Sequence, residues 1–304
     1  MMRNWKFAVY ALFILPFLSQ AQQWDSTGII SSGAQLTVLG SGYSFTEGPA
    51  ADRQGNVYFT DQPNNQIIRW DATSRATTVF LRDAGRANGM YVDKAGHLLA
   101  CADLKNELWS IDTKTRKPTV LVTAFRGKLL NGPNDLWVTP NGNVYFSDPF
   151  YKRDYWLRDT AMQQDGQCLY YYNRDNKNII RVDSNYIRPN GLVGTPDGKT
   201  LYVSDIGDSK IYRYRIHKDG QLRDRTLFAR ASTDGMTLDN RGNVYLAGNG
   251  ITVFNPKGEK IAYIPVPAKW AGNVCFGGKN HDLLFITAST QVFGLAMNVR
   301  GAGY

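Results

Sequence analysis

The sequence predicts an all-β fold, a six-bladed β-propeller with four-stranded antiparallel blades. A short motif recurs six times, an Asn/Asp/Gly turn follows at a fixed distance, and an apolar strand follows each turn. The motifs open at Glu47, Asn88, Asn134, Asn190, Asp234 and Asn273, spaced 41, 46, 56, 44 and 39 residues apart. Eight residues after each opener stands Gly55, Gly96, Gly142, Gly198 or Gly242, with His281 in the sixth copy. Twelve per cent aromatic residues and 29 glycines agree with short strands joined by tight turns.

Each repeat reads as one blade. A short apolar strand runs from the opener to a turn such as Asp52-Arg-Gln-Gly-Asn56 or Pro140-Asn-Gly-Asn143. Asn, Asp and Gly tolerate the positive φ such hairpins need. Second strands follow at Val57-Tyr-Phe59, Leu98-Leu-Ala100, Val144-Tyr-Phe146, Leu201-Tyr-Val203, Val244-Tyr-Leu246 and Leu283-Leu-Phe285. Third strands are predicted at Ile67–Trp70, Glu107–Ile111, Leu169–Tyr172, Lys210–Tyr214 and Ile251–Phe254, with shorter fourth strands at Thr78–Leu81 and Thr119–Val122. Four strands per 40–50 residues make a propeller blade. A strand near Gln35 to Leu39 is expected to complete the last blade and close the ring.

The first residues read as an export signal. Arg3 and Lys6 precede an apolar run from Phe7 to Leu18, and Ser19-Gln-Ala21 offers small residues at a cleavage site. Twelve apolar residues fall short of the ~20 that span a bilayer. Residues 1–21 are therefore expected to leave, with 22–304 as a single propeller domain, exported to the periplasm or secreted and free of the membrane after cleavage. Net charge is +9, and the basic residues are scattered, which argues against nucleic-acid binding. Cys101, Cys168 and Cys275 have no C-x-x-C spacing; one pair is open to bridging in an exported protein. Three histidines are too few for a His-rich transition-metal site. The sequence carries no signal of oligomeric state.

In a propeller the six openers ring one mouth of the central channel. Two carboxylates and four amides converge there, and each offers an oxygen. Converging carboxylates repel unless a cation or a proton intervenes. A hard cation answers that conflict: calcium takes carboxylate and amide oxygens, while magnesium demands stricter geometry. Asn-Gly and Asp-Gly pairs also cap turns, but that reading does not account for Glu47 in the same register. A second ring, Asp61, Asp103, Asp148 and Asp205, ends the returning strands; such residues usually accept loop N–H groups. An aromatic and basic insert beginning Pro149-Phe-Tyr-Lys-Arg-Asp-Tyr-Trp156 starts at the same mouth, where it either shapes access or merely decorates a blade.

The chain resembles the gluconolactonase, senescence-marker-protein and luciferin-regenerating-enzyme family. The resemblance runs through Phe45-Thr-Glu-Gly-Pro49, Asn88-Gly-Met90, Asn131-Gly-Pro-Asn-Asp-Leu136, Phe146-Ser-Asp-Pro149, Pro189-Asn-Gly-Leu192 and Asp234-Gly-Met236. It implies a metal-dependent hydrolase that opens a small lactone or related ester. It implies that Glu47, Asn190 and Asp234 hold a divalent metal, calcium first, with zinc, manganese or magnesium as alternatives. Asn134 then touches water or substrate, and Asp234 doubles as general base, with Asn88 helping to orient the substrate. Gly132 departs from members that carry arginine there, and Cys101-Ala-Asp103 departs from an acidic residue followed by His. Two other readings are a non-catalytic propeller binding protein or glycan, and a strictosidine-synthase-like or arylesterase propeller. No G-x-S-x-G supports a serine hydrolase.

Overall fold

The structure, a computed structural model, describes residues 23–156 and 160–303; the leader expected at 1–21 lies outside them. Six antiparallel sheets follow in order along the chain as blades, with a two-stranded hairpin, Ala124–Phe125 and Lys128–Leu129, between the second and third. Blade I comprises Thr46–Ala51, Val57–Asp61, Gln66–Trp70 and Thr77–Arg82. Blade II comprises Ala87–Val92, His97–Ala102, Glu107–Asp112 and Pro118–Val122. Blade III runs through Leu136–Val138, Val144–Asp148, Cys168–Asn173 and Asn178–Asp183, and blade IV through Pro189–Gly194, Thr200–Asp205, Lys210–Ile216 and Leu222–Ala229. Blade V has Met236–Leu238, Val244–Gly248, Gly250–Phe254 and Lys260–Ile264; blade VI has Ala271–Gly277, Leu283–Ala288 and Gln291–Ala296. The innermost strands of successive blades touch in cyclic order, and that of blade VI returns to blade I. The fold is a six-bladed propeller.

Ring closure comes from the N-terminal side. Thr37–Ser41 supplies the fourth strand of blade VI, pairing Thr37 with Gly294 and Ser41 with Gln291. This lies two residues further along than the sequence pattern placed it. Trp24–Asp25 adds a fifth strand to blade V, with Trp24 opposite Tyr263. Asn298 stitches the connecting segment down, donating to the Gly28 and Ile30 carbonyls at 3.1 and 3.0 Å. Ladder hydrogen bonds between the chain's two ends protect the edges that an open arc of blades would expose.

The turn chemistry predicted for the inner hairpins is present. Asp52 Oδ1 accepts the Gln54 and Asn56 N–H groups at 2.9 Å, and Gly55 takes the left-handed φ of +81°. Asp93 and Asp239 repeat the arrangement. Apolar contact then runs between blades as well as within them. Phe59 and Trp70 of blade I meet Phe285 of blade VI, each at 5.7 Å between ring centroids. All three rings are fully buried, worth about 1.5–3 kcal/mol each for side chains of this size. The three cysteines are each unbridged, so no pair among them forms a disulfide.

Candidate active site

The six openers do not sit in turns. In blades I, II, IV and VI the ladder between the innermost strand and its neighbour is interrupted at or beside the opener by a β-bulge. Register shifts fall between Glu47 and Ala50, Ala87 and Met90, Pro189 and Leu192, and Ala271 and Asn273. In blades III and V the ladder begins only at Leu136 and Met236, just after the openers. A bulge twists the strand locally and re-aims a side chain, here toward the axis. The following glycine lets neighbouring blades approach closely. Gly89, Gly191 and Gly235 donate backbone N–H groups to the Asn134, Asp234 and Gly272 carbonyls at 2.7, 2.8 and 2.8 Å. A Cβ on Gly191 would overlap the Asp234 carbonyl, and one on Gly235 the Asn273 amide. The Xaa-Gly register thus reports contact between blades, which replaces the turn-capping reading.

The ring buries its members. Glu47, Asn88, Asn134, Asn190 and Asn273 are all at most 7% exposed, and Asp234 is partly exposed. A third carboxylate, Asp135, joins them at 7% exposure. Burial pushes the Glu47 carboxyl well above its ordinary range, and the charges of Asp234 and Asp135 add to that. Burial also raises Asp234, against N–H donation from Trp270 and Asn190 and the field of Arg153. Asp135 is pushed up to about 7 by burial, although it accepts the Leu136 and Leu192 N–H groups and the Asn273 amide. Three carboxyls whose ionisation burial resists, two of them opposed further by a neighbouring carboxylate, mark a site that attracts positive charge.

The amides divide into two kinds. Asn273 is used internally: its Oδ1 accepts the Val274 N–H at 2.8 Å, and its amide serves both Glu47 and Asp135. Asn190 donates to Tyr151 Oη at 3.1 Å and to Asp234. The Asn88 and Asn134 side chains make no hydrogen bond with other described residues. Trp270 Nε1 holds Asp234 Oδ2 at 2.8 Å, and Gly48 N–H holds Glu47 Oε2. Glu47 and Asp234 each accept protein donors and keep further carboxylate lone pairs for a ligand, and Asn190 Oδ1 accepts no hydrogen bond from a described residue. Among the described residues no group of three or more His, Cys, Asp or Glu side chains forms a metal cluster. The axial set mixes carboxylate with amide oxygen instead, the chemistry of a hard cation. Below the ring the innermost strands enclose a cavity of about 700 Å³ that reaches the opposite face, with Asp135 and Asn273 on its wall.

Residues 45–290 match the SMP-30/gluconolactonase/LRE-like region. The chain belongs to that family. A gluconolactonase of Zymomonas mobilis is 29% identical over 293 residues, covering 87% of this chain and 82% of its own. The solved gluconolactonase of Xanthomonas campestris superposes with a TM-score of 0.81 at 26% identity, covering 92% of this chain and 99% of that one. A regucalcin from Agrobacterium tumefaciens, described as calcium-binding, shares the fold, with a TM-score of 0.73 at 18% identity over 87% and 94% of the two chains.

Gly132 and Asp103, both singled out in the sequence, have a structural account. Three of the strand-end aspartates do what such residues usually do. Asp61 accepts the Ser44 and Phe45 N–H groups, Asp148 those of Asn131 and Gly132, and Asp205 those of Ile187 and Arg188, all at 2.8–3.2 Å. Asp103 differs, because it anchors the insert. Its Oδ2 accepts Arg153 Nε at 3.2 Å and Tyr155 Oη at 2.5 Å, and its carbonyl accepts Trp156 Nε1 at 3.0 Å. The insert thus begins on blade III, clamps back onto blade II at Asp103 and reaches blade IV through Tyr151. A Cβ at position 132 would meet Asp103 Oδ1 at 3.0 Å and the Asn106 amide at 3.3 Å, with the Trp156 ring in ordinary contact at 3.5 Å, so the glycine leaves room for blade II and the insert to pack there. Residues 157–159 of the insert lie outside the described residues.

Proposed function

We propose that this chain is an exported hydrolase that opens a small lactone at the axial site, with a divalent cation, calcium by preference, held by Glu47, Asn190 and Asp234. One observation carries the reading: buried carboxylates converge on one axis with amide oxygens left open between them, inside a family that includes gluconolactonases. No lysine or arginine makes an ion pair with Glu47, Asp135 or Asp234 among the described residues; only the more distant field of Arg153 reaches Asp234. A divalent cation relieves that uncompensated charge. When bound, it supplies Lewis-acid polarisation of the lactone carbonyl and a counter-charge for the oxyanion.

The chain's own residues do the rest. Asp234, partly exposed and carrying one oxygen fixed by Trp270, takes the proton of the attacking water with the other. Its raised carboxyl makes it a stronger base than an exposed aspartate once ionised. Asn134 and Asn88, whose amides face no protein partner, hold the water and the substrate's ring oxygens in line. Asn273 keeps Glu47 and Asp135 apart and oriented without touching the substrate. Trp156 and Tyr151 cover one side of the mouth and limit bulk water.

A lactone panel assayed with calcium, zinc, manganese and chelator tests this. Asp234→Asn is expected to lower kcat by about 10²–10⁴, the usual worth of a positioned base, with the thermal transition retained. Activity that survives exhaustive chelation would exclude the cation, and full activity in D234N would remove the base.

A further inference from the structure

The rim of the mouth beside Asn190 carries positive charge that the axial chemistry does not use. Two guanidiniums stack over the ring of Tyr151, Arg153 at 5.2 Å and Arg188 at 5.0 Å from its centroid. Both lie within the range where a cation is held by an aromatic face. The Tyr151 hydroxyl is the partner of Asn190, so this stack stands one hydrogen bond from the axial oxygens. Arg153 is anchored by Asp103 at 3.2 Å. It still lies close enough to Asp234 to favour that carboxylate.

Arg188 is different. It is exposed, and among the described residues no carboxylate comes within ion-pair distance of it. Its backbone N–H is fixed by Asp205 at 2.8 Å, and its ring neighbour restrains the side chain. A restrained guanidinium with its N–H fork unspent is suited to a planar or tetrahedral oxyanion, which it can grip with two parallel hydrogen bonds. The insert is held without it, because Asp103 already binds Arg153 and Trp156.

We propose that Arg188, backed by Tyr151 and Arg153, is an anion subsite that selects lactones bearing a carboxylate, sulfonate or phosphate group away from the reacting carbonyl. The proposal rests on the lactonase reading above and adds the substrate class to it. The reacting ester lies among Glu47, Asn190 and Asp234, and the charged end points to the rim. The guanidiniums are presented to the mouth from two sides, Arg153 from the insert and Arg188 from the entry to blade IV.

The test compares kcat/KM for glucono-1,5-lactone and its 6-phosphate, with uncatalysed opening subtracted, in wild type, Arg188→Gln and Arg188→Lys. The wild type is expected to prefer the phosphate ten-fold or more, and to lose part of that preference as salt rises. R188Q is expected to lower kcat/KM for the phosphate ten-fold or more beyond its effect on the neutral lactone. R188K, which keeps the charge and loses the fork, falls between the two. Equal kcat/KM for both lactones in the wild type overturns the subsite, as does an equal loss on both in R188Q. No turnover of either lactone in any metal condition overturns the lactonase reading instead.

Discussion

Replacing Asp135 with asparagine isolates the electrostatic cost of the axial site. Asp135 is buried, and its carboxyl is pushed from 3.8 up to about 7. In the folded protein it therefore holds its proton over a pH range where the unfolded chain has released it. A raised carboxyl contributes stability that is complete below the unfolded value and is lost as pH rises through the folded one. Each unit of difference is about 1.36 kcal/mol, so the loss between pH 5 and pH 8 is about 3 kcal/mol. The asparagine introduced by D135N does not titrate, yet its Oδ1 still accepts the Leu136 and Leu192 N–H groups. Its amide faces that of Asn273, which lowers stability at every pH alike and leaves the slope unaffected. The stability of D135N relative to wild type is thus expected to rise by about 3 kcal/mol from pH 5 to pH 8. That corresponds to a differential shift of about 5 °C in Tm for a domain of this size. Thermal unfolding of both proteins in chelator at several pH values measures it. Parallel Tm profiles would refute the reasoning, because they would mean Asp135 ionises in the fold as easily as outside it.

Trp270→Phe removes the donor that pulls the Asp234 carboxyl down. The carboxyl then rises further, and the acid limb of kcat/KM moves to higher pH by about one unit, the worth of a hydrogen bond to a charged group; an unmoved limb would show that Asp234 is not the titrating base. Gly235→Ala drives a methyl into the Asn273 amide that orients Glu47 and Asp135. Overpacking of this kind costs about 1–3 kcal/mol, so a fall in Tm of several degrees is expected by calorimetry, and an unchanged Tm would mean the ring is not close-packed there.

Much of the fold was legible because a propeller repeats its local chemistry. The turn Asp52-to-Asn56 and its copies need an aspartate to accept two N–H groups and a glycine at positive φ, and both leave residue signatures at fixed offsets. The opener register was legible for the same reason, although its cause was not. Sequence alone shows a polar residue followed by glycine and suggests a turn, whereas the glycine is there to admit the next blade. Asp135 escapes a sequence reading on that account: blades I, II, IV and V carry glycine at this position, so an aspartate reads as a break in the pattern. The break is itself the signal, since a side chain placed where others have none must point into the axis or the adjoining channel. Trp270, Tyr151 and Arg188 are beyond reach of the pattern, because each comes to the axis or its rim from a loop or a strand entry outside the repeat. Asn273 reads in sequence as one more oxygen on the ring, but its oxygen is taken by Val274 and its amide is what the carboxylates use.

The same geometry that assembles the site also destabilises it, and this explains where the chain invests its strongest closure. Glu47, Asp135 and Asp234 come from blades I, III and V, so every second blade directs a carboxyl inward, and wherever these ionise together their repulsion acts to spread the ring. Spreading is resisted by the hydrogen bonds from Gly89, Gly191 and Gly235 to the following blade, at the level of the openers themselves. It is resisted again at the perimeter, where Thr37–Ser41 locks blade VI and Trp24–Asp25 extends blade V. The seam between blades VI and I, where the chain's two ends meet, is filled by Phe59, Trp70 and Phe285. A ring that had only to bind a partner on its face would gain from replacing the buried acids with apolar residues, because an uncompensated buried charge is costly. Retaining three of them, with amide oxygens left open between them, is consistent with a site shaped to receive a cation and the carbonyl it activates.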